Sequence, residues 1–130
     1  MILFACIHNS GRSVAARILT EHYAEGSVEA RSAGSAPSGT INPLISEVLA
    51  ERGLRTEAEI PTALDDAAVG EADVVVTMGC GETCPFLPGK RYEDWQVEDP
   101  AGQDLKTARR VVHDIDRRVQ ALLANLASGQ

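Results

Sequence analysis

The start of the chain constrains the fold more than any other feature: an apolar run, Ile2-Leu3-Phe4-Ala5, leads directly into Cys6-Ile7-His8-Asn9-Ser10-Gly11-Arg12-Ser13. Behind it, Val14, Ala15, Ile18 and Leu19 recur with helical spacing up to Ala24, so the chain begins as strand, loop and helix, with C-x5-R-S on the loop. A tetrahedral oxyanion needs several donors converging on one point, and a loop entering a helix N-terminus offers backbone N–H groups and the positive end of the helix dipole. Ile7, His8, Asn9, Ser10, Gly11, Arg12 and Ser13 are therefore the expected oxyanion-binding residues. Gly11 keeps a side chain away from the anion, Asn9 tolerates left-handed backbone, and the planar fork of Arg12 can grip two oxygens. The same field favours a thiolate at Cys6, which makes it a candidate nucleophile. The competing reading is a buried structural cysteine at a strand end with Arg12 solvated in the first turn, and C-x5-R alone does not separate the two.

The rest of the pattern alternates strands and helices. Gly26 ends the first helix, Val28 to Ser32 reads as a strand, and Ala33 to Thr40 reads as a loop of small residues. Asn42-Pro43 is a cap followed by an N1 proline, opening a helix that runs to about Arg52 and stops at Gly53. Asp65 to Gly70 suggests a helical turn, Ala72 to Thr77 a β-branched strand of the buried parallel type, and Arg91 to Trp95 a last short strand. Leu105, Ala108, Val112, Ile115, Val119, Leu122 and Leu126 form the apolar stripe of a long final helix, whose charged residues read as a solvated face. The expectation is an α/β fold with a four-stranded, mainly parallel sheet flanked by helices and an anion loop after the first strand.

With 130 residues, 44% of them hydrophobic, and no Pro/Gly/Ser-rich divider, one domain spanning 1–130 is expected. A formal charge of -7 argues against nucleic acid and means that any anion must be held by local donors. No apolar run reaches membrane-spanning length and Ile2 to Ile7 lacks a basic leader, so a cytoplasmic protein without membrane contact is expected. Three cysteines do not make a disulfide scaffold and fit a reducing compartment.

Ligands of open α/β sheets collect at the carboxyl ends of the strands, where Cys6 and the loop after Thr77 both fall. Asp99, held extended before Pro100, follows the last expected strand. It is either an acid able to protonate an oxygen leaving the anion or part of a turn before the final helix. Cys80 and Cys84, in Cys80-Gly81-Glu82-Thr83-Cys84-Pro85, fit a reversible disulfide, or two small buried side chains; a metal is not expected because the pair supplies only two ligands. His8 is more easily read as a local hydrogen-bonding residue than as a reacting one, His22 and His113 as surface residues, and Tyr92 and Trp95 as loop packing.

Together, the N-terminal C-x5-R-S, Ser32-Ala33-Gly34, Asn42-Pro43, Val74-Val75-Val76-Thr77-Met78, Cys84-Pro85, and Trp95 followed by Asp99-Pro100-Ala101-Gly102 resemble the arsenate reductases built on the low-molecular-weight tyrosine-phosphatase fold. The phosphatases of that fold usually carry a second cysteine where Gly11 stands and tyrosines where Ala101-Gly102 stand, which favours the reductase over a phosphomonoesterase. The resemblance implies that Cys6 attacks arsenate held by the loop and Arg12, that Asp99 protonates the departing oxygen, and that a covalent Cys6–arsenic adduct is then reduced by a second thiol. Phosphate or sulfate would mimic arsenate in the site. No bound cofactor is implied, only a thiol co-substrate. Thioredoxin-linked members use two further cysteines that match Cys80 and Cys84, although at a longer spacing. The loop from Met78 to Tyr92 also resembles an actinobacterial branch that resolves the adduct with mycothiol and mycoredoxin, leaving Cys80 and Cys84 as bystanders. The low-molecular-weight thiol is the slightly favoured donor. Arg17 stands where some members place a potassium-ligating glutamate, so potassium dependence is not expected.

Overall fold

A computed structural model describes residues 1–79 and 90–127. In chain order the elements are β1 (Ile2–Cys6), α1 (Arg12–Ala24), β2 (Ala30–Gly34), α2 (Pro43–Glu51), α3 (Asp66–Glu71), β3 (Val74–Thr77), β4 (Arg91–Asp94) and α4 (Leu105–Ala127). The four strands form one sheet in the order β2-β1-β3-β4, and every pairing is parallel. The expected mainly parallel α/β architecture is thus present, and among the described strands it is wholly parallel.

A central parallel strand is covered on both faces, which is why Ile2 to Cys6 carry no polar side chain and are all buried. Ile2, Phe4, Val74 and Val76 point to one face, where they join Val14, Ile18 and Leu19 of α1, Ile45, Val48 and Leu49 of α2, and Val112, Ile115 and Val119 of α4. Leu3 and Val75 point to the other, against Val69 of α3 and Ala72. Phe4 meets Trp95 at a ring-centroid distance of 5.7 Å. The expected cap works as the sequence suggests: Asn42 Oδ1 accepts from the N–H groups of Leu44 (2.9 Å) and Ile45 (3.5 Å), with Pro43 beginning α2. No helix among the described residues is long and apolar enough to cross a membrane.

Two expectations are corrected. The second strand lies at Ala30–Gly34, two residues later than Val28 to Ser32, because pairing of Ala5 with Ala33 and of Cys6 with Gly34 draws small residues of low strand preference into the sheet. The charged residues of α4 are not all solvated: Asp116 is 4% exposed and accepts from Tyr23 (2.7 Å) and Arg52 (2.7 Å), tying α1 and the end of α2 to α4.

Candidate active site

The site forms where the central strand stops. Cys6 is the last residue of β1 and α1 begins at Arg12, so the intervening loop sits at the carboxyl edge of the sheet. The carbonyls of Cys6, Ile7, His8 and Ser10 accept from the N–H groups of Ser35 (3.1 Å), Ala36 (2.8 Å), Ser38 (2.9 Å) and Asn42 (2.7 Å). These four oxygens are therefore engaged by the chain around the loop. Gly11, the N-cap of α1, makes no side-chain capping bond, and the first turn carries no acid. The positive end of α1 thus faces the loop with no acid in its own first turn to neutralise it.

The loop is held in shape from beneath. Asn9 is fully buried with φ 49°, a left-handed conformation that asparagine accepts more readily than most residues. Its Oδ1 accepts from the Thr62 N–H (2.8 Å) and its Nδ2 donates to Ser13 Oγ (2.8 Å); Ser13 Oγ in turn lies 2.9 Å from Cys6 Sγ. The side chains of Asn9 and Ser13 are therefore occupied in holding the loop and the thiol. Gly34 completes the support: a Cβ there would lie 2.6 Å from the Ile7 carbonyl oxygen and 2.8 Å from the Asn9 nitrogen, so only glycine lets β2 approach this closely. Arg17 reinforces the segment that carries Thr62 by pairing with Glu59 through two nitrogens and with Glu21 through a third.

The cavity beside Cys6 and Arg12 is small. Cys6, His8, Ser10, Gly11, Arg12, Asn42, Asp99, Pro100 and Ala101 line a cavity of about 20 Å³, which suits an inorganic ion rather than an aromatic ring, since one water needs roughly 10–15 Å³ on this measure. Arg12 is 8% exposed; its Nη1 donates to the Val97 carbonyl (3.4 Å) and its Nη2 lies 3.7 Å from Asp99 Oδ2. Asp99 Oδ1 accepts from the Ala101 N–H (2.9 Å), the turn expected of Asp-Pro, while the other oxygen faces Arg12. The turn and the approach to the cradle, taken as alternatives in the sequence, thus coexist. His8 is exposed at the rim. Cys80 and Cys84 lie outside the described residues. A wider groove of about 720 Å³ along α2 and residues 53–57 holds no thiol and none of these groups.

Sequence reasoning missed the parts of Thr62, Gly34, Val97 and Asn42. Only Gly34 and Asn42 lay in motifs that drew attention, and nothing local to Thr62 or Val97 marks them, because their roles come from backbone groups brought in by the fold.

This geometry accords with what the chain is similar to. The sequence matches the family described as low molecular weight phosphotyrosine protein phosphatase over residues 1–130. An arsenate reductase 1 of Bacillus cereus is 32% identical over 92% of this chain and 90% of its own length. An arsenate reductase from Archaeoglobus fulgidus has 38% identity and a TM-score of 0.83, with 95% of this chain and 99% of that one covered. The thioredoxin-dependent arsenate reductase of Corynebacterium glutamicum has 43% identity and a TM-score of 0.88 over 99% of this chain, which spans 62% of that longer one. The chain accordingly belongs to the low molecular weight phosphotyrosine protein phosphatase family.

Proposed function

We propose that this chain, acting as a single domain over residues 1–130, reduces arsenate to arsenite at the expense of thiols. The observation that carries the reading is the convergence of Cys6, the uncapped start of α1, Arg12 and Asp99 on one ion-sized cavity. The relatives named as arsenate reductases support the choice of anion. Ala101 and Gly102 behind Pro100 put no aromatic wall beside the cavity, which disfavours an aryl phosphate.

In the proposed reaction the loop N–H groups and the Arg12 fork bind three oxygens of arsenate, and charge is stabilised by dipoles already in place. Cys6 attacks arsenic, and the oxygen opposite leaves as water on taking a proton from Asp99, for ~10²- to 10⁴-fold in rate. The adduct holds arsenic(V) bonded to Cys6 Sγ. A second thiolate then attacks that sulfur; the S–As bond breaks, its electron pair stays on arsenic, and arsenite departs while Cys6 is left in a disulfide. A further thiol restores Cys6. In sum, two thiols become one disulfide and arsenate becomes arsenite and water. The thioredoxin-dependent relative makes thioredoxin the donor to try first, ahead of the mycothiol route suggested by the loop sequence. In the thioredoxin scheme Cys80 and Cys84 carry the disulfide outward.

The test is arsenite production by wild type, Cys6→Ser and the Cys80→Ser/Cys84→Ser pair, each with a thioredoxin system and with mycothiol and mycoredoxin. Arsenite from wild type and none from Cys6→Ser is expected, with the paired variant inactive under thioredoxin. Reduction retained by Cys6→Ser would refute the covalent mechanism. Aryl phosphate turnover without reductant, and no arsenite under either system, would make the protein a phosphatase.

A further inference from the structure

Gly79 lies two residues beyond the end of β3, with φ +91°. A Cβ added there would sit 2.7 Å from Nη1 of Arg12 and 3.5 Å from both Cζ and Nη2. Among the described residues the nearest atoms are thus all guanidinium atoms, so a side chain would press on the fork that is to grip the anion together with the loop N–H groups. Backbone conformation does not explain this contact. Gly26, Gly53 and Gly102 also have positive φ, at +85°, +78° and +72°, and a Cβ on any of them meets nothing within 4 Å.

We infer that Gly79 is a positioning residue for the anion site: its bare Cα is the floor on which the Arg12 guanidinium rests, and it sets where the fork is aimed. Arg12 leaves α1 at its first residue and crosses to the carboxyl edge of β3, where Val97 and Asp99 are its other neighbours. Among the described residues the Val97 carbonyl at 3.4 Å and Asp99 at 3.7 Å are the guanidinium's polar neighbours, and Gly79 bounds it on another side. Ordinary contact begins near 3.4 Å, so a methyl group at position 79 must drive Nη1 back by about 0.7 Å. The far end of an arginine can yield that distance without disturbing the core. A bidentate anion contact cannot, because displacements near 1 Å cost up to ~10²-fold where oriented groups act together. The penalty of Gly79→Ala therefore falls on anion binding, in addition to the backbone cost any L-residue has at this φ.

The inference rests on Arg12 being the anion's ligand, as proposed above. The experiment measures the dissociation constant for inorganic phosphate by calorimetry, and the melting temperature, for wild type, Gly79→Ala and Gly26→Ala. Gly26→Ala reproduces the backbone cost with open space around the methyl group, at a position away from the cavity. Gly79→Ala is expected to bind phosphate ~10- to 100-fold more weakly than Gly26→Ala while melting at a similar temperature. In an Arg12→Lys background, which lacks Nη1, Gly79→Ala is expected to cause almost no further loss. Equal affinities for the two alanine variants, an undiminished loss in the Arg12→Lys background, or failure of Gly79→Ala to fold while Gly26→Ala folds would each overturn the role of Gly79. Wild type that binds no phosphate would overturn the anion cradle itself, and the inference with it.

Discussion

Replacing Asn9 tests whether the loop is held from beneath as its hydrogen bonds indicate. The side chain is fully buried, accepts from Thr62 and donates to Ser13. Its removal forfeits about 1 kcal/mol for each net hydrogen bond and leaves the fully buried Ser13 hydroxyl without the donor Asn9 supplies, so a total near 3 kcal/mol is expected for Asn9→Gly. Asn9→Ala should cost about 1 kcal/mol more, because alanine must then be held at a left-handed φ that glycine adopts freely. In a chain of this length about 4 °C of melting temperature corresponds to each kcal/mol, so the two variants should melt roughly 12 and 16 °C below wild type. Urea unfolding followed by circular dichroism gives the free energies directly. Asn9→Ala within ~0.5 kcal/mol of wild type would refute the buried network, since that is the scatter expected of an unconstrained surface change. Alanine and glycine variants of equal stability would refute the backbone part alone.

Three further outcomes are expected. Gly34→Ala meets backbone atoms of Ile7 and Asn9 that cannot swing aside, so it should cost ~2–3 kcal/mol in urea unfolding, and a loss below ~0.5 kcal/mol would mean the loop has room the contacts deny. Asp99→Asn should slow adduct formation ~10²-fold or more in single-turnover measurements while phosphate affinity is largely kept; equal losses in both would make Asp99 structural. Asp104, whose Oδ1 accepts from the Thr107 N–H (2.9 Å) at the start of α4, has its carboxyl held below the ordinary aspartate value chiefly by that backbone bond. A depressed carboxyl contributes stability above its unfolded value and loses it as the pH falls through the folded one, so acid melting should be steeper in wild type than in Asp104→Asn, and identical acid profiles would refute the linkage.

What the sequence reveals depends on how far apart the cooperating residues lie. The strand, loop and helix that bring Cys6 and Arg12 together are legible because these residues are neighbours in the chain, and α4 because Val112, Ile115 and Val119 repeat one helical stripe. Asp99 was ambiguous for a physical reason: its Asp-Pro turn satisfies every local signal, and only the fold brings it beside Arg12. Thr62 acts through its backbone N–H, which no residue type advertises. Asp116 looked like one more surface charge on an amphipathic helix until Tyr23 and Arg52 arrived from other elements. The limits of β2 were misjudged because Ala33 and Gly34 take strand geometry from their partners in β1 rather than from their own preference.

Arg12 leans on Val97 and Asp99, more than eighty positions further along the chain. The proposed site is therefore complete only once the segment that follows β4 has docked beside the start of α1. Long-range closure of this kind is slow to form. An oxyanion bound there would act as a folding ligand: binding the native state alone, at a hundred times its dissociation constant it would add about 2.7 kcal/mol to stability. If the site takes phosphate as well as arsenate, ambient phosphate both protects the resting protein against unfolding and competes with the toxic anion, so stability and arsenate turnover would move in opposite directions as phosphate rises.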